Sequence, residues 1–164
     1  MNEAARKARN DQRLKELFPT FRARLERVIA ELEGNGLRPR IQDGWRSPAD
    51  QLKAFNNGNS KLRFGFHNVT SSSGSAESLA VDMLDDDSPL ASRKPYLLQL
   101  AAAAEKAGLA TGIRWGVPKS LRGAIDAAIA AKDWDANVKI GWDPTHVEPT
   151  GITVAEAKSG KRPK

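Results

Sequence analysis

The chain contains no cysteine among its 164 residues. Disulfide scaffolds and thiolate metal sites are excluded, so any bound metal must rest on imidazole and carboxylate. Histidine is scarce as well, with two residues, which leaves few candidate ligand sets. Long hydrophobic runs are missing. The longest mild one, Tyr96 to Ala104, is alanine-rich and contains Gln99, far from the roughly 20 apolar residues of a membrane span. Behind Arg6 and Lys7 there is no apolar stretch of about 7–15 residues, so a secretory signal is not expected. The chain is therefore expected to be made in the cytoplasm and to act elsewhere only after lysis or dedicated export.

What is present fits one globular domain over residues 1–164, with 40% hydrophobic and 28% charged residues. The formal net charge is +6 and the isoelectric point is near 9.8. Such a balance favours polyanionic surfaces. Much of the excess lies in Arg6, Lys7, Arg9, Arg13 and Lys15, and in Lys158, Lys161, Arg162 and Lys164. Residues 1–12 and 159–164 are expected to be flexible basic ends. No basic stretch is interleaved with aromatics in a nucleic-acid-binding motif, so no specific nucleic-acid partner is expected.

Leu14, Leu17, Phe18, Phe21, Leu25, Val28, Ile29 and Leu32 recur at three- and four-residue steps, an apolar helical stripe interrupted or restarted at Pro19. Leu37 to Gly44 reads as a short strand entering a turn. Ser47 is placed to cap a helix that has Pro48 at its first position and runs to Phe55. Ser71 to Ser75 is a low-complexity loop, and Ser78 to Leu84 a buried strand. Helices are expected over Tyr96–Ala107 and Leu121–Ala131. Ile113 to Gly116 is a short strand or turn, and Val138–Ile140 and Thr145–Val147 are strands. Thr153 to Lys158 is a final helical turn. The pattern is α+β, a small antiparallel sheet flanked by helices.

Each histidine sits in a polar motif. His67 lies in Gly65-Phe66-His67-Asn68-Val69-Thr70, fifteen residues before Asp82, and His146 closes Trp142-Asp143-Pro144-Thr145-His146. A catalytic zinc site uses three such ligands and keeps one position open. His67, His146 and Asp82 complete a set, with Asp143 as a spare carboxylate. The alternative for an isolated histidine is a hydrogen-bonded structural residue. Asp85-Asp86-Asp87 reads as a solvated turn rather than a cation site. Trp45, Trp115, Trp134 and Trp142 read as packing residues, with Trp115 and Trp142 also placed beside motifs. Glu148 reads as a carboxylate that orients a ligand.

Four segments, in order, resemble the zinc D-alanyl-D-alanine carboxypeptidase and dipeptidase family, whose relatives include the L-alanyl-D-glutamate endopeptidases of phage endolysins. They are Gly44-Trp45-Arg46-Ser47 with Gln51, Leu79-Ala80-Val81-Asp82-Met83, Arg114-Trp115-Gly116 and Asp143-Pro144-Thr145-His146-Val147-Glu148. The resemblance implies a zinc site in a cleft on the sheet, with His67, Asp82 and His146 as ligands. It implies Asp143 as general base and Arg46 facing the substrate carbonyl or a nearby carboxylate. Ser47, Gln51, Trp115 and Trp142 would line the substrate path. The implied activity is hydrolysis of peptide bonds in peptidoglycan stem peptides by a monomer, as an endopeptidase or else a D,D-carboxypeptidase. A metal-free, catalytically inactive module of the same fold that binds cell-wall fragments or nucleic acid is the alternative of another class.

The family pattern places its first histidine about seven residues before the aspartate, where this chain has Ser75. Either the Ser/Gly loop is an insertion and His67 reaches the metal, or the first ligand is lost. A loop of eight extra residues closes at modest entropic cost, which favours the insertion.

Overall fold

The computed structural model describes residues 1–164. Its elements are α1 (Glu3–Leu14), α2 (Pro19–Gly34), β1 (Pro39–Asp43), α3 (Pro48–Asn56), a 3-10 turn (Phe66–Asn68), β2 (Val81–Asp85), α4 (Lys94–Lys106), β3 (Leu109–Gly112), α5 (Lys119–Ala131), β4 (Asp143–Pro149) and α6 (Val154–Lys158). The strands form one antiparallel sheet in the order β1-β2-β4-β3. The architecture is α+β, as the sequence pattern indicates. No helix is long and apolar enough to cross a membrane.

Strand alternation divides the sheet into two faces. Ile41, Val81, Met83 and Val147 are buried and join Phe21, Leu25, Val28 and Leu32 of α2 and Leu97, Leu100 and Ala104 of α4 in the main core. Burial of each such leucine contributes about 1.5–3 kcal/mol. A smaller cluster joins Leu98 and Ala101 of α4 to Ile113, Val117, Ile125 and Val138. Arg40, Asp82, His146 and Glu148, at the alternate positions, are not buried in that core. The candidate site residues Asp82 and His146 occupy the face opposite the main core.

The expected flexible end over residues 1–12 is instead helical and docked. α1 buries a stripe of Arg6, Asn10 and Leu14, spaced four residues apart and polar at its first two positions. Arg6 Nη1 and Asn10 Nδ2 donate to Pro39 O at 2.8 and 3.0 Å, and Ile41 N donates to Asn10 Oδ1 at 2.8 Å. Arg9 donates to Ile41 O and Gln42 O. β1 is an edge strand, and these side chains satisfy its unpaired backbone groups and close the edge. The C-terminal segment 159–164 is likewise held. Arg162 pairs with Glu77 at 2.7 Å and donates to Thr70 O, and Thr20 Oγ1 donates to Pro163 O.

Three further elements differ from the sequence pattern. β3 follows directly on the glycine that ends α4, too short for its alternation to register. Val138–Ile140 is irregular rather than a strand. Asp85 and Asp86 are buried and paired, not a solvated turn. Arg93 clasps Asp85 through Nε at 2.7 Å and Nη2 at 3.1 Å, and Asp86 meets Arg38 and Arg40.

Candidate metal centre and its cleft

The centre begins with a register. Val81 pairs with Val147 and Asp82 with His146 across β2 and β4, so Asp82 and His146 project side by side from the open face. Directly opposed residues hold their Cβ atoms about 4.5–5.5 Å apart. His146 Nδ1 lies 3.5 Å from Asp82 Oδ1.

His67 arrives from a separate segment. Leu79 N donates to Phe66 O, and Glu77 N to Val69 O, laying residues 66–69 beside the approach to β2. Between them residues 70–76 double back. Thr70 bridges Ala76, and Ser71 N donates to Ser75 O, with Gly74 at φ +87 taking the left-handed conformation. The Ser/Gly stretch thus loops out with its ends together, and Ser75 lies in the exposed turn with its hydroxyl 2.6 Å from that of Ser71. His67 Nε2 ends 3.4 Å from Asp82 Oδ2.

The tautomer of His67 follows from its partner. Nδ1 lies 2.7 Å from Gly44 O. A carbonyl only accepts, so Nδ1 carries a proton and Nε2 is the nitrogen turned toward Asp82. Arg46 N donates to His67 O, and Asn68 Nδ2 donates to Arg46 O at 2.9 Å while its Oδ1 accepts from Gly65 N at 2.7 Å. Buried Asn68 therefore ties the His67 turn to the Gly44–Arg46 segment. Its place beside His67 in the motif was the only sequence signal for it.

His67, Asp82 and His146 each offer a ligand atom, all within 4.8 Å of one another. Zinc bonds of about 2.0–2.1 Å to nitrogen and oxygen put tetrahedral ligand atoms about 3.4 Å apart. The two separations centred on Asp82 match that edge. His146 Nε2, the nitrogen turned from Asp82, lies 3.8 Å from Glu148 Oε2, the position of an orienting carboxylate. The donor set fits zinc.

Asp143 reaches the same side through an irregularity. Residues 143 and 146 of a regular strand would face opposite ways. Here Thr111 pairs with Val147 but Gly112 with Asp143, so β4 bulges across Pro144–His146. Asp143 Oδ2 then lies 4.0 Å from His146 Nδ1. The close approach requires glycine. A Cβ on Gly112 would lie 2.0 Å from Asp143 O, and one on Gly141 would lie 2.4 Å from Gly112 O.

Electrostatics set the carboxylates apart. Burial pushes Asp82 up, but the adjacent His146 and the charges of His67 and Arg46 outweigh it and hold the carboxyl below its ordinary range. Burial raises Asp143, with Asp82 and Glu148 adding to the rise against the opposing pull of His146 and His67. For His146 burial favours the neutral ring, yet Asp82 and Glu148 push its pKa up to about 9. Five titratable groups share one patch with excess negative charge, the setting in which a cation is stabilising.

The cleft continues on both sides of the cluster. One basin, about 410 Å³, includes Arg13, Asp43, Arg46, Asp50 and Ser60. The other, about 450 Å³, includes Trp115, Trp142, Asp143, His146 and Val154. Leu62, Gly65, His67 and Asp82 line both. Trp115 lies 5.1 Å from the His146 ring and 5.4 Å from the Trp142 ring, and Trp142 is 73% exposed. Two of the expected substrate contacts are otherwise engaged. Ser47 Oγ caps α3 by accepting from Asp50 N. Gln51 is buried, its Nε2 donating to Ser60 Oγ and Leu62 O and its Oε1 accepting from Arg46 Nη1 at 3.2 Å. Gln51 braces Arg46 with both of its amide atoms engaged, while Ser47 keeps its hydroxyl proton to donate.

No protein-family model and no curated protein matches the sequence. Among solved structures the chain resembles the crystal structure of Serratia marcescens L-Ala D-Glu endopeptidase ChiX, at 20% identity, covering 87% of each chain with a TM-score of 0.54. At that identity the likeness establishes a shared fold.

Proposed function

We propose that the chain is a zinc-dependent hydrolase of peptide bonds in peptidoglycan stem peptides, acting as an endopeptidase of the family named above. The observation that carries the reading is the convergence of His67, Asp82 and His146 from three separate segments, with Asp143 beside them. The peptidoglycan substrate is supported by the fold shared with an L-Ala D-Glu endopeptidase.

His67 would ligate through Nε2, His146 through Nδ1 and Asp82 through a carboxylate oxygen. Zinc so held supplies Lewis-acid polarisation of a carbonyl and a nucleophile at neutral pH. Asp143 accepts the proton of the attacking water and returns it to the departing amine. Arg46, braced by Gln51, offers charge-assisted hydrogen bonds to the negative charge that develops on the carbonyl oxygen. Trp115 and Trp142 give the substrate backbone an apolar wall. Basins on both sides of the cluster favour an endopeptidase, since a carboxypeptidase needs one side closed around a terminal carboxylate.

Digestion of purified muropeptides by the zinc-loaded chain, followed by mass spectrometry of the new amino termini, tests the reading. Cleavage between L-Ala and D-Glu, lost with a chelator and restored by zinc, is expected. Release of terminal D-Ala alone would assign a carboxypeptidase. A chain that binds wall fragments without stoichiometric zinc or cleavage would be a binding module, and the proposal would fail.

A further inference from the structure

The turn between α1 and α2 takes no part in the proposed chemistry, yet it reaches the carbonyl that holds His67. Gly44 O and the Trp45 N–H belong to one peptide group. Its oxygen accepts from His67 Nδ1 at 2.7 Å, and its nitrogen donates to Glu16 Oε2 at 3.3 Å. Glu16 is itself fixed. Arg13 Nη1 donates to Glu16 Oε1 at 2.9 Å, Ser78 N donates to Glu16 O at 3.0 Å, and Phe18 N donates to Ser78 O at 3.1 Å. The turn is thereby pinned to the segment that leads into β2 and Asp82.

A carboxylate on the N–H side of a peptide polarises it and strengthens its oxygen as an acceptor, since linked hydrogen bonds reinforce one another. The other candidate for holding Gly44 O is the buried Ser78. Its hydroxyl lies 2.8 Å from Ala80 O and 3.3 Å from Gly44 O. A hydroxyl has one proton to give, and the shorter bond takes it. Glu16 is therefore the group that secures this peptide. The contact is close: a Cβ on Gly44 would lie 2.7 Å from Glu16 Oε2, so a side chain there would displace the carboxylate.

We propose that Glu16 is a positioning residue for the candidate metal ligand His67, acting through the Gly44–Trp45 peptide. Carboxylate, peptide and imidazole form a relay that keeps a proton on Nδ1 and turns Nε2 toward Asp82. A histidine ligand is commonly oriented by a carboxylate or a carbonyl on its other nitrogen; here the two act in series. The role rests on the metal-centre reading and gives the α1–α2 turn a share in the site.

The relay is tested by zinc dissociation constants from chelator competition, together with nitrogen NMR of the His67 ring in the metal-free chain. Glu16→Ala should weaken zinc binding about tenfold, the lower end of the scale for groups that orient ligands, and should populate the Nε2–H tautomer of His67. Glu16→Gln keeps an oxygen for the Trp45 N–H without the charge and should fall between Ala and wild type. Gly44→Ala should weaken zinc to a similar degree. Joined to Glu16→Ala it should add little, because the carboxylate it displaces is already gone. A Glu16→Ala chain with a lower denaturant midpoint but unchanged zinc affinity and tautomer would make Glu16 a structural residue and overturn the proposal. Losses from Glu16→Ala and Gly44→Ala that simply add would overturn it too, as would a wild-type ring protonated on Nε2 alone. If the wild-type chain takes up no zinc, the metal reading fails, and the tautomer comparison by itself sustains or overturns the role of Glu16.

Discussion

Two polar clusters flank the sheet, and they are built on opposite logic. Where α1 meets β1 and the end of β2, carboxylates meet guanidinium groups: Glu3 with Arg6 and Arg38, Glu33 with Arg6, Asp86 with Arg38 and Arg40, Asp85 with Arg93. On the open face, Asp82, Asp143 and Glu148 surround two imidazoles, and no guanidinium lies within ion-pair distance of any of the three. The first cluster is electrically closed and holds the fold. The second keeps lone pairs and negative charge in reserve, which suits a metal ion and costs stability without one. Arginine marks structural carboxylates here, and histidine marks those available for chemistry.

The sharpest break of this contrast is His67→Ala. It should abolish stoichiometric zinc, measured by metal analysis of the purified chain, while the helical circular dichroism is kept. Zinc retained at one per chain would remove His67 from the ligand set. Asp143→Asn should keep zinc and fold but lower turnover by about 10²–10⁴-fold, because an amide cannot accept the proton. Near-normal turnover would move the base to another group.

On the structural side, Asp86→Ala leaves Arg40 and Arg38 short of a buried partner and should destabilise the chain by about 3–5 kcal/mol. Denaturant midpoints would show it, with zinc affinity of the folded protein unchanged. A smaller loss is expected for Arg46→Lys, about tenfold in turnover, since an ammonium lacks the planar two-pronged donor. Equal activity would reduce Arg46 to a source of charge.

The smallest effect is a pH dependence confined to the closed cluster. Hydrogen bonds from Arg6 and then Arg38 lower Glu3 from 4.5 to about 2. A depressed carboxyl stabilises the fold above its ordinary pKa and loses that contribution as pH falls through the folded value. Docking of α1 should therefore weaken between about pH 4.5 and pH 2. Hydrogen exchange of α1 amides should report it, and Glu3→Gln should flatten the profile. An unchanged profile in that variant would mean other groups hold α1.

The metal cluster was legible because its residue types are rare and chemically constrained: two histidines, no cysteine, and carboxylates at strand and turn positions. The structure brings together the three residues named from the sequence as candidate ligands, and the excursion of residues 70–76 supports the insertion reading. α1 was not legible. Its buried stripe contains Arg6 and Asn10, and helical burial is read from apolar periodicity. Its function is to bond the edge of a strand more than twenty residues away. The Asp85–Asp87 run was misread for a related reason, since its arginine partners at positions 38, 40 and 93 are remote or look like solvated charge. Gln51 and Ser47 sit in the segment that borders the cleft, with Gln51 engaged by Arg46 and the 60–62 loop and Ser47 capping α3.

By itself the sequence determined the α+β pattern, the apolar faces of α2 and α4, the cysteine-free ligand chemistry and the identity of the three candidate ligands, because local periodicity and side-chain chemistry are properties of the chain. Tertiary structure alone decided the pairing of Asp82 with His146, the Nδ1–H of His67 against Gly44 O, the bulge that turns Asp143 inward and the gathering of Arg13, Asp43 and Asp50 in one basin. Each of those depends on backbone groups or charges distant in sequence being brought together, and only the assembled sheet sets their separation.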